Sequence, residues 1–552
     1  MTDLPDPTAD LTARPWFFCG IGGSGMQPLA AILKGRGAEV AGSDRSFDQG
    51  RTPEKFAALE AQGFQLFPQD GSGITQPEQV LVASAAVEDT VPEVVRAKEL
   101  GLPRLTRADL NAALFNAAET GVAVAGTSGK STVTGMLGWI LHHAGKNPTI
   151  MNGAVMKNFV SEDRPFASAV VGNADLYVSE VDESDGSIAQ YKPAVGILLN
   201  VSLDHKSMDE LRQLFGDFLE ASERGVVNAD DEEAFRLVAH ANAPLTFGVT
   251  NGCAALGIVE GSIAEGPTRQ AAMVHDKRDD TQHALTLNLP GRHNLSNALA
   301  AIAGANAAGV PVADAVAALA EFKGLARRFD IVGTSSSGVT VIDDFGHNPE
   351  KAAATLRTLK SHPGRVLAFF QPHGYGPLKQ MGAELAETFA RELGPEDVTL
   401  LCDPVYFGGT VDRSEGSERR LRRLAGGERQ ARRPHRDHGR ARRHSERVCT
   451  RRAGAAGLSV YERARRHALK MLLGVAIGVV FIIAVDTWIG HSSIAFAIVI
   501  FGLFMANIGI LGFNCPNCRK NLFFRGPLML PWPNKTCSRC GTDLAKEPWR
   551  GA

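Results

Sequence analysis

Residues 123–137 read AVAGTSGKSTVTGML, and how this stretch is read decides the fold. An apolar run, GVAVAG, enters a turn that holds Gly126 and Gly129, and Lys130 and Ser131 follow at once. The next residues, TVTGMLGWILHHAG, space their apolar positions for one face of a helix that Gly145 closes. A strand, a glycine turn and a helix can cradle a phosphate. Backbone N–H groups point at the anion, the helix N-terminus lies behind them, and a lysine reaches the β/γ oxygens. Ser131 stands where a Mg²⁺-ligating hydroxyl belongs. The long spacing G-x-x-x-x-G-K-[ST] needs a glycine at position 124, and Val124 is there instead. Taken alone, the segment is either a nucleotide site of another form or a glycine turn before a core helix.

Working outward, WFFCGI (16–21) predicts a buried strand, followed by GIGGSG, a helical stretch MQPLAAILKGRG and a second strand AEVAGSD. The glycine turn fits G-x-G-x-x-G at Gly20, Gly22 and Gly25, with Gly23 and Ser24 inside it and Asp44 closing the next strand. By itself this pattern would suggest a dinucleotide. QVLVASAAV is a further strand of the same unit. Downstream, ADLYVSEVDES and AVGILLNVSLDH are strands that end in polar clusters, where ligands of open α/β sheets sit. A third unit opens near Phe329, with GVTVIDDFGHNP and RVLAFFQPHGYG making the same strand-to-polar transition. The expectation is an α/β protein with units at 1–112, 113–328 and 329–416. Net charge −2 and 21% charged residues argue against a nucleic-acid partner. Four of the eight cysteines are scattered, which suits a reducing compartment, and MTDLPDPTADL is no secretory leader.

The ordered set GTSGKST, SEVDESD, LNVSLDH, LPGRHNLSNALAA, ARRFD and VIDDFGHNP resembles the Mur ligase family, which builds the peptide stem of peptidoglycan. Its phosphate loop has the shorter form G-T-x-G-K-[ST]-T, matched here from Gly126 through Thr127, Ser128, Gly129, Lys130 and Ser131 to Thr132, so Val124 is no obstacle. The resemblance covers roughly residues 14–415 and is nearest to the alanine-adding branch, through GIGGSGM, EVDESD, GRHN and FQPH. It implies three domains: a Rossmann-like domain for a UDP-sugar, an ATP-binding central domain, and a Rossmann-like third domain. It also implies ATP and Mg²⁺, with a UDP-N-acetylmuramate-type substrate and an amino acid as the other reactants. The glycine turn would then take the UDP diphosphate.

By the same resemblance, Lys130 contacts the β/γ-phosphates, Glu180 and Ser131 hold Mg²⁺, and His205 lies near a second metal. Asn294 and Asn297 face the adenine, Arg328 touches the phosphates, Asp344 the ribose, and His347 and Asn348 pack near the base. His373 and Lys379 lie where the amino acid is received. Two departures fall in the phosphate loop, where the alanine-adding branch has a histidine and a threonine and this chain has Ser128 and Ser131. A third is GYGPLK in place of an arginine-containing RYSRT after FQPH, which leaves the amino acid open and makes Lys379 a candidate replacement cation. Asp182, Glu183 and Asp185 carry no assigned role, a solvated acidic loop being the plain alternative; His142 and His143 read as structural, and His293 stands evenly between a helix cap and a site residue.

After about Ser417 the pattern stops. Residues 417–452 hold 14 arginines in 36 positions, and no lysine occurs between Lys379 and Lys470. A nucleic-acid arm, a basic membrane linker and out-of-frame translation all produce basic runs; arginine without lysine favours the last, with a truncated third domain as its consequence. Met471–Ile489 and Ile494–Phe513 are each long enough to span a bilayer and are joined by GHSS. Basic residues outside both ends (Arg463, Arg465, Arg466, Lys470; Arg519, Lys520) place those ends in the cytoplasm. Cys515-x-x-Cys518 and Cys537-x-x-Cys540 have zinc-ribbon spacing, four thiolates for a closed structural site. Two further functions stand beside a ligase: a membrane-anchored nucleotide-binding protein without turnover, and a dehydrogenase.

Overall fold

The computed structural model describes residues 11–402 except 86, 184, 185, 203–205, 373 and 374; beyond 402 it describes 464, 468, 487, 515, 521, 524, 525, 528, 529 and 535–537. The chain divides into two units, Met1–Ala431 and Arg432–Ala552. In the second, Phe524–Arg525 pairs antiparallel with Leu528–Met529, and Cys515 and Cys537 are buried. Cys518, Cys540, the arginine-rich run and, apart from Thr487, the expected hairpin lie outside the described residues. Among the described residues no helix is long and apolar enough to cross a membrane.

In the first unit, five parallel strands form a sheet ordered β3-β2-β1-β4-β5: β1 (Trp16–Cys19), β2 (Val40–Ser43), β3 (Gln65–Phe67), β4 (Val80–Ala83) and β5 (Arg104–Thr106). Strands β1 and β4 are buried at every position, which is why WFFC and VLVA are continuous apolar runs rather than alternating ones. Gly20 turns the chain with φ +82° between β1 and the helix Met26–Gly35.

The central sheet has eleven strands. Its order is β8-β7-β9-β6-β10-β11-β12-β13-β15, with β14 and β16 also paired to β15. The strands are β6 (Thr120–Ala125), β7 (Pro148–Met151), β8 (Ala169–Val170), β9 (Asn173–Glu180), β10 (Val195–Leu198), β11 (Arg224–Asn228), β12 (Leu245–Gly248), β13 (Leu256–Ile258), β14 (Ala264–Glu265), β15 (Gln270–Asp276) and β16 (Thr281–Leu287). β6 lies between β9 and β10 and runs parallel to both. It is where the progression across the sheet reverses, so the loop after it faces a crevice at the carboxyl ends of the strands. Helices Lys130–His143 and Arg292–Ala307 pack on this sheet through a shared apolar core.

A second core runs without a break from Trp16 and Phe115 of the first domain to Tyr177 and Phe215 of the central one. The helix Arg107–Asn116 makes that joint. Phe115 meets Tyr177 and Tyr191 edge-on at 5.9 and 5.1 Å. Asn111 Nδ2 donates to Ser179 Oγ (3.0 Å) and to the Tyr191 hydroxyl (2.7 Å), and Asn111 Oδ1 accepts from the Tyr177 hydroxyl (3.0 Å). The Asn111 side chain thereby satisfies the hydroxyls of Tyr177, Tyr191 and Ser179 that the joint buries.

The third domain holds the hairpin β17 (Asp330–Thr334)/β18 (Thr340–Asp343) and the parallel pair β19 (Leu367–Phe370)/β20 (Val398–Leu401). Helices Pro349–Leu359 and Tyr375–Glu392 cover one side, around Ala352, Leu356, Leu385 and Phe389. On the other side Leu367, Phe369 and Leu400 are exposed, Phe369 by 68%.

Candidate active site

The loop after β6 is held open by two glycines in backbone conformations that side chains resist, Gly126 at φ +134° and Gly129 at φ +90°. A Cβ on Gly129 would also lie 2.7 Å from Asn297 Oδ1. Asn200, just past β10, pins the loop. Its Oδ1 accepts from Ser128 N (2.8 Å), its Nδ2 donates to Ser128 O (3.0 Å), and its carbonyl accepts from Thr127 N (3.2 Å). Thr127 Oγ1 donates to Ser202 O and accepts from Ser202 N, at 3.2 and 3.1 Å. Parallel pairing of β6 with β10 is what brings these two segments side by side.

Lys130 opens the helix. Its Nζ donates to Gly126 O (2.8 Å) and pairs with Glu183 Oε2 (2.7 Å). Ser131 Oγ donates to Glu180 Oε2 at 2.7 Å, because the β6–β9 register sets Glu180 beside Val124 at the sheet's carboxyl end. Gly153 leaves room for that carboxylate, since a Cβ there would stand 2.3 Å from Glu180 Oε1. Asn152 Nδ2 donates to Ser131 O (3.0 Å) and steadies the turn. One hydroxyl and one carboxylate beside a phosphate loop are a hard oxygen donor set that suits Mg²⁺, which takes one or two carboxylates and completes its shell with phosphate and water. Among the described residues no group of three or more His, Cys, Asp or Glu is arranged to hold a metal, so Ser131 and Glu180 would hold Mg²⁺ together with the substrate's oxygens.

All three domains contribute walls to one cavity of about 580 Å³. Ser24, Gly25 and Arg107 come from the first domain, the phosphate loop with Glu180 and Glu183 from the second, and Asp344 and His347 from the third. Asn294 and Asn297 line it from the helix that opens at Gly291. Asn294 Nδ2 reaches back to Pro290 O (2.8 Å), and Asn297 Nδ2 donates to Asn294 Oδ1 (3.1 Å). Arg328 lies against the Phe345 ring at 5.1 Å, and Arg327 lies at 4.9 Å from the same ring. Burial pulls the Arg328 guanidinium below its ordinary value while Glu180 and Asp344 pull it back; a guanidinium so placed stays a cation.

Asp344 takes three internal hydrogen bonds, from Phe329 N (2.9 Å), Gly346 N (3.0 Å) and Thr355 Oγ1 (2.7 Å). It shapes the turn that carries His347 into the cavity. Asn348 is not among the cavity's lining residues; its side chain caps the helix Pro349–Leu359 by accepting from Lys351 N (2.9 Å). Gly20, Gly22, Gly23 and Asp44 are not among the residues that line the cavity, whereas Ser24 and Gly25 of the same turn are. Asp44 closes that glycine turn, accepting from Gly22 N (2.9 Å) and Ser46 N (2.8 Å). His205 and His373 lie outside the described residues, as does the side chain of Lys379.

Sequence reasoning passed over Asn200, Gly153, Arg107 and Glu183. Glu183 is only 4% exposed and paired with Lys130, so the acidic loop is not wholly a solvated one. Asn200 had a usable signal, a polar residue ending an apolar strand. Gly153 had none, because its role is the space it leaves.

Three matches to known families follow one another along the chain: the Mur ligase family catalytic domain over residues 17–119, the Mur ligase middle domain over 124–305, and the Mur ligase glutamate ligase domain over 327–450. The third runs past the described residues and through most of the arginine-rich run. UDP-N-acetylmuramate–L-alanine ligase of Streptomyces avermitilis is 36% identical over 388 residues, 68% of this chain and 80% of the relative. The enzyme of that name from Synechococcus sp. (strain JA-2-3B'a(2-13)) is 36% identical over 406 residues, 73% of this chain and 80% of the relative. Among solved structures, UDP-N-acetylmuramate-alanine ligase MurC from Thermotoga maritima superimposes with a TM-score of 0.60 at 26% identity, covering 75% of this chain and 99% of that one.

Proposed function

The chain belongs to the Mur ligase family, whose members are ATP-dependent acid–amino-acid ligases, and from that membership we propose that it joins L-alanine to the carboxylate of UDP-N-acetylmuramate. The observation that carries the reading is the single cavity in which Lys130, the Ser131–Glu180 pair and Arg328 face elements of the first and third domains. ATP sits with its phosphates on the amides of Gly126–Ser131 and its base toward Asn294, Asn297 and His347. Ser131 and Glu180 would hold magnesium, which would supply charge neutralisation for the phosphate oxygens.

A substrate carboxylate oxygen bonds to the γ-phosphorus as the bond to ADP breaks. The alanine amine then bonds to the acyl carbon, phosphate leaves with that oxygen, and the amine gives up a proton. Lys130 and Arg328 offset the negative charge that accumulates on the transferring group, and the groups around the cavity position the reactants. His373 and Lys379 receive the amino acid. His205 would serve a second metal, and Asp44 with Gly20, Gly22 and Gly23 the UDP end.

The reaction belongs to the cytoplasm, where its nucleotide substrates are. Structural zinc at Cys515, Cys518, Cys537 and Cys540 is a separate proposal, tested by metal content: one zinc per chain supports it and none refutes it. The test of the ligase reading is ADP release in the presence of Mg²⁺, UDP-N-acetylmuramate and L-alanine, with each omitted in turn. Release that needs all of them supports it. Nucleotide binding without turnover contradicts it, as does equal turnover when the muramoyl acid is left out.

A further inference from the structure

The lysine that should meet the nucleotide already has an anion on it. Glu183 Oε2 lies 2.7 Å from Lys130 Nζ, and the carboxylate is 4% exposed. Glu180 and Asp182 line the same cavity, so three acids face the place where a polyphosphate must enter. Ser131 engages Glu180, while Lys130 is shared between Glu183 and Gly126 O. Lys130 Nζ has three donors, of which Gly126 O and Glu183 take two, so a phosphate on the third meets the Glu183 carboxylate at close range. Two anions cannot share one ammonium in a half-buried crevice without strong mutual repulsion.

Resting on the ligase reading, we propose that Glu183 gates the phosphate loop. It holds Lys130 in line as a stand-in anion and must be displaced when Mg·ATP arrives. The pair also orders the lysine's long side chain, an effect smaller than its competition with the phosphate for the ammonium. The cost is paid in affinity, because part of the nucleotide's binding energy goes into breaking the pair. Glu183 is thus a positioning residue that acts through Lys130.

This assignment makes a prediction opposite in sign to that of an ordinary structural ion pair. Were the pair merely structural, its loss would disorder Lys130 and weaken nucleotide binding. As a gate, its loss removes a competitor and tightens binding. The test is calorimetric titration of the full chain with Mg²⁺ and a non-hydrolysable ATP analogue, for wild type, Glu183→Gln and Glu183→Ala, each first checked for a wild-type melting transition. Both variants are expected to bind about tenfold more tightly and to need less Mg²⁺ for half-saturation. A tenfold change corresponds to about 1.4 kcal/mol. Affinity equal to or below wild type in both folded variants overturns the proposal. If the wild-type chain itself fails to bind Mg·nucleotide, the ligase reading falls, and that outcome is distinct from failure of the gate.

Discussion

Lys130 sits at the first turn of a helix whose amides face the same cavity, so it joins a dipole and an ammonium at one point. Lys130→Ala is expected to lower kcat/KM for ATP about a thousandfold, roughly 4 kcal/mol of lost transition-state stabilisation; steady-state ADP release measures it. Gly153 supports a subtler expectation. A methyl there meets Glu180 Oε1 at 2.3 Å, so Gly153→Ala must push the carboxylate away from Ser131. The Mg²⁺ concentration for half-maximal turnover should rise severalfold, and stability should fall by about 1–3 kcal/mol, read by magnesium titration and denaturant melts. Cys19 tests burial. Its thiol is pushed up to about 11, chiefly by burial and then by Glu93, whereas Cys253 is exposed. Alkylation at pH 8 followed by peptide mapping should label Cys253 and spare Cys19 until the chain unfolds. Because the folded thiol keeps its proton longer than the unfolded one, this residue's contribution to stability is present below about pH 9 and is lost as pH rises toward about 11. At this scale the sequence was legible where chemistry depends on residue type, as at Lys130 and Ser131. It was opaque where geometry decides. Nothing in DESD says that Glu183 turns in to Lys130, and nothing about a lone glycine says whose carboxylate it accommodates.

Elements were easier to read than their joints. The turn–helix–strand opening at Gly20–Asp44 and the phosphate loop after GVAVAG were legible because parallel strands buried on both faces are continuous apolar runs. The antiparallel pair β15–β16 carried its own signal, since QAAMVHD alternates buried and half-buried positions along its length, yet short alternations without motifs draw no attention. The joint made by the helix Arg107–Asn116 was illegible, because Asn111 and Tyr177 are 66 residues apart. Asn111→Ala would strand the hydroxyl of Tyr177, which is fully buried. The expected loss is about 1–3 kcal/mol with a steeper dependence of activity on temperature, checked by thermal melts and initial rates. Phe115→Leu, which keeps apolar volume at the same joint, should cost less.

At the scale of the whole molecule, the account depends on three domains closing around one cavity. The third domain's described part covers only one side of β19 and β20, leaving Leu367, Phe369 and Leu400 exposed. Its order should therefore depend on what binds between the domains. Mg·ATP at about a hundred times its dissociation constant should stabilise the chain by about 2.7 kcal/mol, visible as a raised melting transition that Lys130→Ala abolishes. The central claim is that this cavity transfers the γ-phosphoryl group to a carboxylate before the amide forms. The most direct test is to supply UDP-N-acetylmuramate labelled with ¹⁸O in its carboxylate, with Mg·ATP and L-alanine, and to weigh the phosphate released. The account predicts one ¹⁸O in each phosphate, carried over from the acyl phosphate. Unlabelled phosphate would mean that water, not the carboxylate, attacks the nucleotide, and would contradict it.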